Sequence, residues 1–274
     1  MSDIDLEFEN IFKMAVTSMR INGSYPSTIR KKLWFINFCL VLSINMSCFY
    51  LLCYSILFHD IKEGNFTEAC KNITITIICM NTTLKYVVLL YYQQSIAELI
   101  RVVNDDYELA KQFPADEQHV VKRYAKEGKL VCLFWLVCAP SASAMFPVKA
   151  IILTAHSFWV GENKLKPMFD ITFPEVIEKQ KDSLPVFLGI FALCFSYAFF
   201  ATVMLTGFDP LIPIFTLHTC GQLDILSTRT TRALSKSATV EEMEENSAVH
   251  ANQGYPPSWH QLRLLYHQLG HLFY

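Results

Sequence analysis

Charge is scarce in this sequence, and it carries little bias. Asp, Glu, Lys and Arg make up 18% of the 274 residues and the net charge is -2, whereas soluble domains run at about 25% charged. A near-neutral chain has no basic footprint for a phosphate backbone, so nucleic acid is not expected as a partner. Paired cysteines are missing too. Cys39, Cys48, Cys53, Cys79, Cys132, Cys138 and Cys194 lie inside apolar runs, Cys220 lies beyond the last run, and only Cys70 falls in a polar loop. That distribution gives no disulfide framework, and no CxxC pair points to zinc or redox chemistry. There is no HExxH, GxSxG, P-loop or dinucleotide fingerprint, so no enzyme activity, cofactor or metal is expected. The opening residues include Asp3, Asp5, Glu7 and Glu9 in place of a basic n-region, so a cleaved signal peptide is not expected.

Apolar residues are what the chain has in quantity: 52% are hydrophobic, 14% aromatic, and mean hydropathy is +0.27. They gather into four runs, read as membrane spans at 33–58, 73–92, 130–148 and 186–207. Each is long enough, at about 1.5 Å per residue, to cross a hydrocarbon core about 30 Å thick. The expected fold class is therefore an all-α integral membrane protein, a helical bundle in the lipid bilayer. Basic residues crowd one side of these runs, at Arg30 to Lys32, at Lys122, Arg123, Lys126 and Lys129, and at Arg229, Arg232 and Lys236. By the positive-inside rule the 1–32 leader, the 93–129 loop and the 208–274 extension are cytoplasmic, in a multi-pass plasma-membrane protein. The 149–183 loop is then external, as is the shorter 59–72 loop, where Asn65 is the sequon expected to accept a glycan because Asn72 abuts the next span.

The spans carry polar and aromatic stripes that admit two readings. Ser43, Ser47, Tyr50 and Tyr54 share one face of the first, either as packing glue or as a ligand surface. Lys85, in the second, either snorkels to the interface or forms a bundle-facing polar pair with Asn81. Pro140 and Pro147 in the third kink the helix around Ser143 and Phe146, for packing or to shape a pocket. In the fourth, Phe187, Phe191, Phe195 and Phe199 recur every fourth residue, as lipid and packing contacts or as a ligand wall. The candidate ligand residues are Ser47, Tyr50, Tyr54, Ser143, Phe146, Phe187, Phe191 and Phe195.

Past the fourth run the helical pattern is expected to continue as one rod to Leu234, through Asp209, Pro210, His218-Thr219-Cys220-Gly221-Gln222-Leu223 and Leu226. Leu217, Cys220, Leu223 and Leu226 make an apolar seam along it. An acidic loop at 237–258 follows, then a helix pattern at 259–274 with Leu262, Leu265, Leu269 and Leu272 on one face. His260, His267 and His271 lie on another face, read as solvated because no carboxylate or cysteine accompanies them. The Asp209 to Leu223 join resembles the fourth transmembrane helix of the insect odorant receptors. An inside N-terminus, a longer second outer loop and the Tyr266-His267-Gln268 helix add to the likeness. The resemblance implies a seven-span receptor for small volatile apolar ligands that assembles with a co-receptor subunit into an odorant-gated cation channel. It further implies that four of seven spans are present, that the chain is truncated at its C-terminus, and that it lacks the pore-lining seventh span. Asp209, His218, Gly221, Gln222, Leu223 and Leu226 would form the cytoplasmic assembly helix. A gustatory-type receptor and a four-span scaffold or junction protein are the alternatives. Tyr91-Tyr92-Gln93 matches part of an innexin signature, but the paired outer-loop cysteines of innexins are missing.

Overall fold

The computed structural model describes residues 7–28, 30–162, 164–181 and 183–236. Among these residues it is helical without strands: α1 (Phe8–Ile11), α2 (Lys13–Ile21), α3 (Lys32–Ser55), α4 (Phe66–Tyr91), α5 (Gln93–Ala110), α6 (Ala115–Trp159), α7 (Glu175–Glu178), α8 (Leu184–Phe208) and α9 (Leu211–Lys236). Each of the four apolar runs lies in a helix long and apolar enough to cross a membrane. Much of their apolar surface faces outward: Leu33 is 78% exposed, Ile151 62% and Met145 70%. Rows of such side chains are stable only against lipid, and the chain is an all-α membrane helical bundle.

The described residues fall into two compact units. The larger comprises residues 14–93 and 132–210. Here α3 closes with a π-helical turn at Ile56–Asp60, and Gly64, at φ 69°, reverses the chain. Asn65 then caps α4 by accepting a bond from the Glu68 amide at 3.4 Å. That cap starts α4 at Phe66, seven residues before the apolar run proper. Likewise α6 runs on through Pro140 and Pro147 to Trp159, so the first part of the expected 149–183 loop is helix. A proline frees one carbonyl of the preceding turn, a loss that neighbouring helices and hydroxyl side chains absorb.

The expected rod is a helical stretch from Leu184 to Arg232, with its hydrogen-bond ladder interrupted once. α8 ends at Phe208, residues 209–210 form a turn, and α9 begins at Leu211. Pro210 has no N–H to extend the ladder and its ring crowds the carbonyl four residues back, so the ladder is interrupted there while Asp209 keeps helical dihedrals. The second unit comprises residues 7–13, 94–131 and 211–236 of those described. Its core is a helical stripe of α5, with Leu99, Ile100, Val103 and Tyr107, set with Phe8, Phe12, Val121 and Ile214. The expected features at 237–274, with their histidines, leucines and Tyr266-His267-Gln268, lie outside the described residues.

Candidate ligand site and polar junctions

The larger unit encloses a core of small and aromatic side chains. Cys48 of α3, Cys79 of α4, Ala150 of α6, and Cys194, Tyr197, Ala198 and Ala201 of α8 are buried together with Met168 and Phe169 of the loop before α7. Phe146 and Phe191 pack against this cluster, and the Phe146 and Phe169 rings meet edge to face at 5.1 Å. The loop is pinned from below by a polar knot. Asp60, with its side chain only 5% exposed, accepts from Asn72 Nδ2 at 2.8 Å and from Ser55 Oγ at 3.4 Å. Ser55 Oγ accepts in turn from the Thr172 amide at 2.9 Å, and Asn72 reaches the Asp170 carbonyl at 3.2 Å. Lys149 and Asp170 add an ion pair. These bonds give a buried carboxylate the partners it needs and fix Met168 and Phe169 over the core.

Threonines along α4 and α8 spend their hydroxyls on their own helix: Thr76, Thr82, Thr83, Thr202 and Thr206 each donate to the carbonyl four residues back, at 2.7–2.9 Å. Two polar atoms of the core do not close in this way. Asn45 donates its amide to the Val41 carbonyl at 2.9 Å, but its Oδ1 is buried without a partner, as is the Tyr197 hydroxyl.

Of the candidate ligand residues, Phe146 and Phe191 join this core, and Ser143 donates to the Ala198 carbonyl at 3.1 Å. Phe187 is half-buried and stacks along Phe191 and Phe195, the last 49% exposed. Ser47 is exposed and Tyr50 is 60% exposed, with half-buried Tyr54 ringed between Tyr50 and Phe58. The inward face of α3 is instead Asn45, Cys48, Leu52 and Ser55. Asn65 is exposed, whereas Asn72 is 1% exposed with its amide engaged, which removes it as a glycan acceptor. Tyr197, Asp60 and Met168 were not among the expected ligand residues. A polar residue inside an apolar run, as Asn45 is, was the one usable signal.

Lys85 has a partner the spacing did not show. Its Nζ lies 2.6 Å from Asp209 Oδ1, with the two side chains 22% and 12% exposed, and 5.8 Å over the Phe208 ring. Asn81 is exposed and takes no part in this pair. The assembly residues therefore separate: Asp209 belongs to the larger unit, and the others sit on α9 in the second.

In that second unit His218, 8% exposed, approaches Asp106 Oδ2 at 2.9 Å, and Gln222 donates to the same oxygen at 3.4 Å. Burial and the neighbouring Asp106 push the Tyr107 phenol up from its ordinary value, and its ring meets His218 edge to face at 5.5 Å. A Cβ on Gly221 would sit 3.1 Å from the Tyr124 ring, so glycine is what allows α9 to lie this close to α6. Arg229 binds Glu117 at 2.7 Å, Arg123 binds Asp224 at 2.7 Å, and Arg232 reaches Asp116 and Glu117. The recess among Phe12, Tyr107, Tyr124, His218 and Gln222 holds about one water, far below the roughly 300 Å³ of an organic-ligand pocket. Leu223 is 48% exposed, Cys220 exposed, and Leu217 and Leu226 half-buried.

A family model described as 7tm Odorant receptor matches residues 65–250, or 186 of 274 positions, from the start of α4 to past α9. The chain belongs to the insect odorant receptor family. No curated protein and no solved structure matches it. The family is one of chemoreceptors, and its members are receptors and channels rather than enzymes.

Proposed function

We propose that this chain is an odorant receptor subunit that detects small volatile ligands and acts with a co-receptor in an odorant-gated cation channel. The observation that carries the reading is the family match over residues 65–250. The basic residues flanking the spans support a plasma-membrane topology with the N-terminus in the cytoplasm and the Met168–Phe169 loop outside. On that topology a volatile ligand reaches the core beneath the loop, walled by Phe146, Phe191 and Phe169. The exposed Leu223 and Cys220 on α9 support contact with a partner subunit, since apolar side chains in water are stabilised by being covered.

Co-expression with an insect co-receptor tests the reading. The tagged chain is expected to co-purify with the co-receptor, and odorants are expected to evoke a cation current that cells expressing the co-receptor alone do not give. Absence of both co-purification and any odorant response would overturn it.

A further inference from the structure

The ends of α3 and α4 that carry Lys32 and Tyr91 hold several cations and no acid. Neither Asp nor Glu occurs at residues 10–59 or 69–97, while Arg20, Arg30, Lys31 and Lys32 all fall in the first of these stretches. The first turn of α3, which starts at Lys32, has no acidic residue either. Among the described residues Lys31 and Lys32 are exposed and form no ion pair. The arginines are held in place. Arg30 donates to the Leu90 carbonyl at 2.8 Å and to Gln93 Oε1 at 2.5 Å, and its guanidinium lies 5.2 Å over the Trp34 ring. All three partners are neutral, so they fix the group and leave its charge uncancelled. Trp34 in turn donates to the Gly23 carbonyl at 2.8 Å, Tyr86 to the Asn22 carbonyl at 3.1 Å, and Gln93 to the Tyr25 carbonyl at 2.9 Å. Within the larger unit these bonds tie the segment between α2 and α3 to the end of α4, and Arg20 lies 5.0 Å over the Tyr25 ring of that segment.

The neighbours of these cations indicate what meets them. Leu33, Phe35 and Ile36 are exposed, so the apolar surface that requires lipid begins one residue past Lys32. Acyl chains covering that surface bring their headgroups to the level of Arg30, Lys31 and Lys32. Trp34 and the exposed Tyr91 are the aromatic types that settle at this depth. Clusters of basic residues directly beside a span attract anionic headgroups, and the charge of the headgroup decides among them. Phosphatidylserine brings an ammonium of its own against the cations. A phosphate monoester brings a charge of about -1.5 to -2 and three strong acceptor oxygens. A water-soluble anion would gain nothing from the apolar surface.

We propose that Arg30, Lys31 and Lys32 form a headgroup site for a phosphoinositide of the surrounding leaflet. The placement of that leaflet on the cytoplasmic side rests on the topology proposed above, whereas the binding itself does not. Arg30 is the fixed element of the site, and the two lysines supply adaptable charge at the end of long flexible stems.

The experiment is native mass spectrometry of the full 274-residue chain in detergent, titrated with phosphatidylinositol bisphosphate, phosphatidylserine and phosphatidylcholine of matched acyl chains. The phosphoinositide is expected to bind about tenfold more tightly than phosphatidylserine, and phosphatidylcholine more weakly still. The double variant Lys31→Gln, Lys32→Gln should melt with the wild type, because both side chains are exposed, and should lose about thirtyfold in phosphoinositide affinity. Lys179→Gln with Lys181→Gln removes the same charge from lysines that already face Glu175 and Glu178, and should change little. Equal affinity for the two anionic lipids, unchanged binding in the first variant, or an equal loss in the second would overturn the site. Soluble inositol trisphosphate binding as tightly as the lipid would overturn it too, as would cross-links from Lys31 or Lys32 to the acidic 237–258 segment that persist with lipid added. Phosphoinositide binding that depends on the two lysines, with the N-terminus mapped to the outside, would retain the site and count against the proposed topology alone.

Discussion

The two units bury helices of similar length in opposite ways. Around α9, the second unit sets charge against charge, with Glu117 between Arg229 and Arg232, Asp224 on Arg123 and Asp106 on His218. The larger unit turns Leu33, Ile151 and Met145 outward and sets ion pairs such as Lys71 on Glu68, Lys149 on Asp170 and Lys181 on Glu178 at helix ends and loops, with Lys85 on Asp209 within the bundle. In water a helix is held by an amphipathic stripe plus solvated charge. In lipid the apolar face gains nothing by turning inward, so packing of small residues and fully bonded polar groups must decide which side is the inside.

The comparison breaks most severely where the larger unit holds a charge. Asp209→Ala strands the Lys85 ammonium within the bundle, and the expected loss is about 3 kcal/mol. It should appear as reduced yield of folded protein and a lower melting temperature in detergent. The double variant Lys85→Met, Asp209→Leu should recover most of it, because the cost lies in the uncompensated charge and not in the absence of the pair. A single variant that melts with the wild type would show the pair to be incidental.

A second test falls on the second unit. Gly221→Leu forces a side chain into the Tyr124 ring, and overpacking of this kind costs about 2 kcal/mol. Faster hydrogen exchange confined to residues 94–131 and 211–236 is the expected signature. Exchange spread equally into residues 132–210 would mean the units do not unfold separately.

These two sites mark what the sequence could and could not convey. Length and hydropathy located the four spans, and Asp209, His218 and Gly221 were visible as punctuation. The partner of Lys85 was not visible, since Asp209 lies 124 residues away and no local period links them. Nor was the facing of α3 legible. Its Ser47 and Tyr50 stripe is regular, but lipid and protein core are both apolar, so periodicity shows a face without showing which way it points. The helical period through Leu223 and Leu226 showed that the stretch continues to Arg232, and Pro210 marks where its ladder is interrupted.

A smaller effect is expected at the loop. Ser55→Ala removes the acceptor for the Thr172 amide and a donor to Asp60, a loss of about 1 kcal/mol. The fold should survive while residues 164–173 become more readily cleaved by protease in intact vesicles. Cleavage no faster than wild type would mean that Asn72 and Lys149 hold the loop without it.

The smallest change to the fold is expected at Leu223, and it bears most directly on assembly. With 48% of the residue exposed on α9, its side chain makes few contacts within its own unit. Leu223→Ser should therefore alter thermal stability by no more than about 0.5 kcal/mol. A leucine that becomes covered at an interface contributes about 1.5–3 kcal/mol, enough to weaken association about tenfold or more. Co-purification with a co-receptor subunit is thus the sensitive readout, and Leu226→Ser is the control on the half-buried neighbour, where the chain's own stability should fall as well. If Leu223→Ser leaves both melting and co-purification unchanged, the exposed seam faces solvent or lipid and the partner binds elsewhere. If it lowers co-purification alone, α9 combines the two behaviours that separate the units: one face held by charge and close glycine packing, the other stabilised only by a second chain.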